Sequence, residues 1–456
     1  MPDVLIAGAG IGGLTAALSL HQAGLSAVVV DSAERLRPIG VGINLLPHAV
    51  RELTELGLGE ELEAIGIPTS TFAHFDRFGN RIWSEPRGLA LGYRWPQYSV
   101  HRGELQMLLL DTVRARLGED AVRAGLAVED FTDPSGDPVG ARSVPGPGTG
   151  EVRVRLRRRD DGQTVVITAG ALVGADGINS AVRARLHPGE GPPLWNGVRM
   201  WRGVAETAPF LDGRTQVVAG SNVLAKFVAY PISQRLDAQG WALVNWVAEV
   251  RVSDDARTET ADWNRHGRLD EVLPHFADWR FGWLDVPALI TETAEILEYP
   301  MVDRDPLPWW GRGRVNLLGD AAHPMYPIGS NGGSQAIIDA RVLAYELARA
   351  GDLGEGLARY EAARRETTNA IVLACRDMPA DRVLHTVAER APHGFGRIED
   401  VLSADELATI DGSYLKTTGI DAQRLNARPS WSALSASSAT TSSATTTSAT
   451  TPESNS

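Results

Sequence analysis

The chain opens with four apolar residues unbroken by a polar one, Val4-Leu5-Ile6-Ala7, followed at once by Gly8. A short continuous run of this kind predicts a strand covered on both faces, as in a parallel sheet. Leu14, Ala16, Ala17, Leu18 and Leu20 then follow a helical repeat, which predicts a helix over 14–23 stopping at Gly24. A β-branched run over 26–30 completes a strand–helix–strand unit. Further helices are predicted over 45–58, 104–117, 334–350 and 356–376, where apolar residues return every three or four positions. Alternation over 72–83 around Gly79-Asn80 predicts a hairpin. Strands over 152–156 and 164–168 flank polar turns, one of them the Gly/Pro-rich stretch 131–150. Two more short apolar runs end on a glycine and an aspartate, at Asp176-Gly177 and at Gly319-Asp320.

The pattern changes between 195 and 300. Strands of a largely antiparallel sheet are predicted over 200–205, 226–230 and 241–247, and seven of the twelve tryptophans lie in this region. Each reads either as core packing or as the wall of a pocket for a flat apolar ligand. The chain is therefore α/β, with a second, sheet-rich domain inserted into the first. The first takes 1–70, 98–185 and 300–385; the insert takes 71–97 and 186–299. A helical segment over 386–428 follows, and then a Ser/Thr-rich stretch over 429–456, which lacks periodicity and reads as a disordered tail.

Composition narrows the function. A chain of 456 residues with 43% hydrophobic and 22% charged positions is that of an ordinary soluble protein of two or three domains. Its 44 basic and 57 acidic residues give a net charge of −13, which argues against a nucleic acid or an anionic membrane as partner. No uncharged apolar run approaches the roughly 20 residues of a membrane-spanning helix, and no signal-peptide pattern stands at the start. Cys375 is the only cysteine, so no intramolecular disulfide and no cysteine-based metal centre is expected, and the expected setting is cytoplasmic.

Gly8, Gly10 and Gly13 fill the G-x-G-x-x-G spacing of a dinucleotide turn. The first permits the tight turn, the second lets backbone approach a pyrophosphate, and the third lets helix and strand pack closely. Asp31 ends the second strand, near the spacing of about 20 residues expected for an acid that binds ribose. Gly40 and Gly42 bracket Val41, which suits backbone passing close to a flat group or simply a tight connection. Arg102 stands at a helix start, where a cation opposes the dipole; a nearby anion or a salt bridge would explain it. Asp176 reads as part of a site or as an ordinary strand–turn–helix corner. Pro324 and Pro327 lead into Gly329-Ser330-Asn331-Gly332-Gly333, a helix start able to present N–H groups to a negatively charged ring. His323 beside Pro324 reads as structural rather than as a base. No histidine pair at metal spacing, nucleophile elbow or phosphate-binding G-K-[ST] loop occurs.

Three of these stretches together carry a resemblance: Gly8/Gly10/Gly13 with Asp31, Ala175-Asp176-Gly177 with Ser180 and Arg183, and Gly319-Asp320 with His323-Pro324. Over about residues 4–375 the chain resembles the class A flavoprotein monooxygenases, the aromatic hydroxylase family. Gly40-Val41-Gly42-Ile43-Asn44, Ser84-Glu85-Pro86-Arg87-Gly88, His101-Arg102-Gly103-Glu104-Leu105-Gln106-Met107, Ala261-Asp262-Trp263-Asn264 and the run from Tyr299 to Pro308 are similar to its phenazine-modifying branch. Asp31 stands where the family more often carries glutamate.

The resemblance implies a Rossmann-like FAD-binding domain of the para-hydroxybenzoate hydroxylase type with an inserted substrate domain. It implies FAD as cofactor and O2 and a transient NAD(P)H as co-substrates, since no second G-x-G-x-x-G is present. The implied reaction is hydroxylation, with or without decarboxylation, of a small planar aromatic acid through a C4a-hydroperoxyflavin, the specific expectation being a phenazine-1-carboxylate type. Another aromatic or polyketide substrate, or a flavin protein without oxygenase activity, are the alternatives. By resemblance, Gly8, Gly10, Gly12 and Gly13 cradle the cofactor, Asp31 binds its adenosine ribose and Arg102 its pyrophosphate region, and Ser32 and Leu126 are further cofactor contacts. Asp320 binds the ribityl chain, Asp176 supports both the FAD and the nicotinamide route, backbone at Val41 and at Asn331, Gly332 and Gly333 lies against the isoalloxazine, and Gly42, Gly319 and Pro327 are further cofactor contacts. Trp201, Tyr230, Trp246, Tyr326 and Pro327 are the candidate substrate walls. No side-chain nucleophile and no metal is implied, and a homodimer is left open.

Overall fold

The computed structural model describes residues 1–132, 150–221, 223–233, 240–252, 265–377, 382–410 and 421–432. The 133–149 stretch of the Gly/Pro-rich segment, the Ala261–Asn264 motif and the Ser/Thr-rich tail beyond 432 lie outside them. Five parallel strands form one sheet in the order Val315–Leu317, Ala171–Gly174, Val4–Ala7, Ala27–Val30 and Val122–Arg123. Val4, Leu5, Ile6 and Ala7 are fully buried, as a strand covered on both faces must be. Helices Ile11–Gln22, Arg102–Leu117 and Asn331–Arg349 pack together beside this sheet. An antiparallel meander of Leu126–Thr132, Val152–Arg158 and Thr164–Ala169 adds Val152, Val154 and Leu156 to the same core.

A second sheet has seven strands: Leu297–Asp303, Leu194–Thr207, Ala242–Arg251, Ala225–Ser233, Thr215–Gly220, Thr71–Phe75 and Arg81–Pro86. All neighbours are antiparallel except Thr71–Phe75 with Thr215–Gly220. The pattern misses Thr215–Gly220, which lacks the alternation of a half-buried strand because nearly all of it is buried. It also misses Leu297–Asp303, which carries Pro300; the strand lies at the sheet edge, where a missing N–H is tolerated. This strand also runs across the 299/300 boundary read from composition. The helix predicted over 45–58 is two, Pro47–Glu55 and Gly59–Ile65, because Gly57 turns left-handed at φ +76°.

Residues 429–432, assigned to the tail by composition, are anchored on the core. Arg51 donates to the carbonyls of Leu425 and Arg428, each at 2.8 Å. Arg341 donates to Ser432 Oγ at 2.8 Å, and Trp431 packs against the first core.

The glycine turn divides its labour as the spacing requires. Gly8 holds φ +108°, and a Cβ there would meet the Ala175 carbonyl oxygen at 2.3 Å. A Cβ on Gly13 would lie 1.9 Å from the Gly8 oxygen, while one on Gly10 would meet nothing within 4 Å. Gly13→Ala should therefore push helix Ile11–Gln22 off the sheet and cost on the order of 1–3 kcal/mol or more. Gly10→Ala should leave the apoprotein's melting temperature unchanged and abolish flavin uptake. Thermal melts of apoprotein beside FAD titrations separate the two.

Helices are tied below the sheet by a buried network. Asp339 accepts from His323 (2.5 Å), Arg364 (2.7 Å) and the Gly319 N–H (3.1 Å). Arg364 also donates to Gln335 at 2.6 Å, and Gln335 meets His48 at 3.4 Å. Burial, with Arg364 and Arg428 nearby, pushes the His48 imidazole down from 6.5 to about 3. Below pH 6.5 the unfolded chain takes up this proton and the native state does not, so His48 makes stability fall with acid down to about pH 3. His48→Gln should flatten that slope by up to about 1.4 kcal/mol per pH unit, read from urea midpoints of apoprotein between neutral and mildly acid pH.

Candidate active site

At the mouth of the glycine turn, Asp31 accepts from the Ala9 N–H at 2.7 Å and the Ala33 N–H at 2.8 Å. Its carbonyl takes the Leu126 N–H at 2.8 Å, which brings Leu126 to the same corner, and Ser32 beside it is exposed. Gln106, from helix Arg102–Leu117, donates to the Ala9 carbonyl at 2.8 Å. Gln106 is not among the predicted cofactor contacts; its sign in the sequence is its place in the stretch His101–Met107, which shares in the family resemblance.

Asp176 caps the next helix. It accepts from Ser180 Oγ at 2.5 Å and from the Ala181 N–H at 2.8 Å, and burial raises its pKa. From that helix, Arg183 donates to the carbonyls of Ala321 at 3.0 Å and Ala322 at 2.8 Å. The Asp176 corner and the Gly319–Asp320 turn are thus one unit, the latter pinned again by Asp339.

Against this satisfied background several groups have no partner. Asp320 is exposed and makes no side-chain bond among the described residues, yet desolvation raises its pKa, while His323 and Arg102 draw it down. A carboxyl both accessible and desolvated lines a cleft. Arg102, its electrostatic neighbour, makes no salt bridge among the described residues. Helix Asn331–Arg349 begins after Ser330 in the left-handed region (φ +58°) with no side-chain cap. Asn331 is 1% exposed, and neither its amide oxygen nor its amide nitrogen has a partner. A Cβ on Gly332 would lie 3.8 Å from Asp320 Oδ1, and one on Gly333 3.8 Å from Ile43. Strand Gly42–Leu45, Asp320 and this helix start therefore face one another.

The second sheet closes the cleft at Gly42. The Gly42 N–H donates to Asn245 Oδ1 at 2.8 Å, and its carbonyl accepts from Tyr230 Oη at 2.9 Å and Arg202 Nη2 at 2.7 Å. A Cβ on Gly42 would press within 2.8 Å of Tyr230, so the bare backbone is required there. Val41 is buried, and its carbonyl accepts from the Arg102 N–H at 3.0 Å. Arg202 Nε is buried without a partner. The sign of Arg202 in the sequence is a lone cation in the apolar run Met200–Val204, and neither it nor Asn245 is among the predicted residues.

The candidate walls separate. Tyr230 faces Gly42. Tyr326 packs with Met200 and Val247 on the same face, and Pro327 beside it is exposed. Trp201 and Trp246 are not brought to the cleft: strand alternation turns them to the opposite face, into a core with Phe227 and Phe276. Trp246 Nε1 donates there to Thr293 at 2.7 Å. These two are core tryptophans, the alternative that the sequence left open.

FAD fits these residues. Open backbone at Gly10, the unpaired Arg102 and Asp320, the orphaned Asn331 amide and the uncapped helix start are what a dinucleotide with a negatively charged ring would satisfy. Among the described residues no group of side chains could hold a metal ion, and no helix is long and apolar enough to cross a membrane.

Comparison with known proteins agrees with this geometry. A family model described as FAD binding domain matches residues 1–266 and 285–374. The chain is 53% identical over 387 residues to phenazine 1,6-dicarboxylic acid hydroxylase PhzS of Lysobacter antibioticus, covering 84% of this chain and 92% of that protein. It is 32% identical to 3-hydroxybenzoate 6-hydroxylase 1 of Aquipseudomonas alcaligenes, covering 79% and 84%. In fold it is similar to Klebsiella pneumoniae HpxO complexed with FAD and uric acid, with TM-score 0.65, 24% identity and coverage of 93% and 94%. The chain belongs to the FAD-binding aromatic hydroxylases, the class A flavoprotein monooxygenases.

Proposed function

We propose that this enzyme hydroxylates a phenazine carboxylic acid, replacing a ring carboxylate by hydroxyl where the attacked carbon carries one. What supports the substrate class is the 53% identity to a phenazine 1,6-dicarboxylic acid hydroxylase over 84% of the chain. NAD(P)H supplies the hydride. One atom of O2 enters the ring and the other leaves as water, with CO2 lost in the decarboxylative case. Bound FAD would supply the electron and oxygen transfer between these partners. The setting is cytoplasmic.

The chain's own residues bind, orient and exclude water. Gly8, Gly10, Gly12 and Gly13 take the pyrophosphate with Arg102; Asp31, Ser32 and Leu126 take the adenosine half. Asp320, on the turn at Gly319, takes the ribityl chain, and Asp176 supports that turn. Val41, Gly42, Pro327 and 331–333 lie against the ring system, where the uncapped helix start favours negative charge. Arg202, with Nη2 on the Gly42 carbonyl and Nε buried without a partner, takes the substrate carboxylate. Tyr326 and Pro327 wall the pocket.

Asp320→Asn should weaken FAD binding roughly 10-fold, the worth of one charge-assisted hydrogen bond, without lowering the melting temperature of the apoprotein, because it relieves an unpaired desolvated carboxyl. Fluorescence titration with FAD beside apoprotein melts checks both. Aerobic NAD(P)H oxidation with phenazine carboxylates, with products identified by mass, tests the reaction; peroxide as the only product with every phenazine would refute the substrate reading. On a substrate that is turned over, Arg202→Gln should raise KM roughly 10- to 100-fold, the loss of a buried charge-assisted contact.

A further inference from the structure

The family match ends at residue 374, but a segment beyond it completes a buried charge cluster on the first core. Arg51, Glu52 and Arg341 are each at most 4% exposed. Both Nη groups of Arg51 donate to carbonyls of the segment 421–432, those of Leu425 and Arg428. Glu52 is shared between Arg341, at 3.2 Å, and Arg428. Arg341 donates to Gln22 at 2.7 Å and to Ser432 at 2.8 Å, and Ser430 donates to Glu55 at 2.5 Å. Charges buried this deeply are costly without their partners. The shared face of helices Pro47–Glu55 and Asn331–Arg349 is therefore complete only with 421–432 upon it.

The same segment holds a third element. Asn426 accepts from the Arg94 N–H at 3.0 Å and donates to the Gly92 carbonyl at 2.9 Å. The loop it grips leads from the seven-stranded sheet into Gln97–His101, which pairs with Gly42–Leu45 and runs directly into Arg102. Helix Pro47–Glu55 follows Gly42–Leu45 almost at once, and the Leu46 N–H donates to Ser334, in the first turn of Asn331–Arg349, at 3.1 Å. Three elements that frame the cleft thus meet under one segment, at points away from the cleft itself. Arg341 lies roughly 15 Å along its helix from Asn331.

We propose that residues 421–432 are a clasp that sets the spacing of the elements around the flavin ring, so that its docking and flavin binding favour each other. The inference rests on the placement of the ring at Gly42 and Asn331 given above. Coupling between two binding events is reciprocal, so the effect is readable from either side. Amide hydrogen exchange of the wild-type, full-length apoprotein is compared alone, with FAD, and with ADP, which lacks the ring. FAD should slow exchange across 421–432 roughly fivefold or more, the lower end of an ordinary coupling, and ADP should leave it unchanged. In Asn426→Ala/Arg428→Gln, which loosens the clasp and leaves Glu52 with Arg341, FAD affinity should fall by the same factor in fluorescence titrations while ADP affinity stays constant. Equal loss of both ligands marks general destabilisation and overturns the inference, as does exchange at 421–432 that FAD does not move. If the double variant fails to fold, the wild-type exchange decides alone. FAD binding without protection at 331–335 refutes the placement of the ring and this inference with it, whereas protection there without protection at 421–432 refutes only the clasp.

Discussion

The peptide at Gly42, which opens a strand of a three-stranded sheet with Gln97–His101 and Ile67–Thr69, is tied directly to the seven-stranded sheet. Its N–H is taken by Asn245, and its carbonyl by Tyr230 and Arg202, all from the seven-stranded sheet. Each such bond is worth about 1 kcal/mol, and the guanidinium's more, because the groups are buried and one is charged. These bonds hold the strand Gly42–Leu45 against the seven-stranded sheet. Any side chain at position 42 would wedge them apart, since its Cβ would overlap Asn245, Ile232 and Tyr230.

Around that joint the protein satisfies its structural polar groups and leaves its binding groups bare. Asp176 and Asp339 each accept several hydrogen bonds, and Arg183 ties the Asp176 corner to the turn at Gly319. Among the described residues Asp320, Arg102 and Asn331 have no side-chain partner. Leaving polar groups unpaired in a desolvated cleft is costly, and the rigid turns beneath them hold them in place. His323 belongs to the rigid part: it is buried against Asp339 rather than poised as a base.

The seven-stranded sheet separates packing from chemistry by its two faces. Trp201, Trp246, Phe227 and Phe276 form a dry core on one side. Arg202, Tyr230, Asn245 and the Lys226–Glu249 pair lie on the other, with Val228 and Val247 between them.

Local physics made much of this legible from the residues alone. The glycine turn, its helix and its strands depend on φ angles and close contacts within a few positions of one another, so spacing reveals them; Gly8, Gly10 and Gly13 perform the roles that their order implies. The second sheet was legible as a class of structure, because strands alternate, but not as two faces. Which face receives the cleft depends on strand register between segments far apart in sequence, such as Gly42 with Asn245, and periodicity within one strand carries no such information. Hence tryptophans, chosen for their size, turn out to be core, while Arg202 and Asn245, unremarked in their strands, meet the joint. The residues determined the nucleotide-binding half and the kind of cofactor; only the packing of one sheet against the other decided which side chains stand before it.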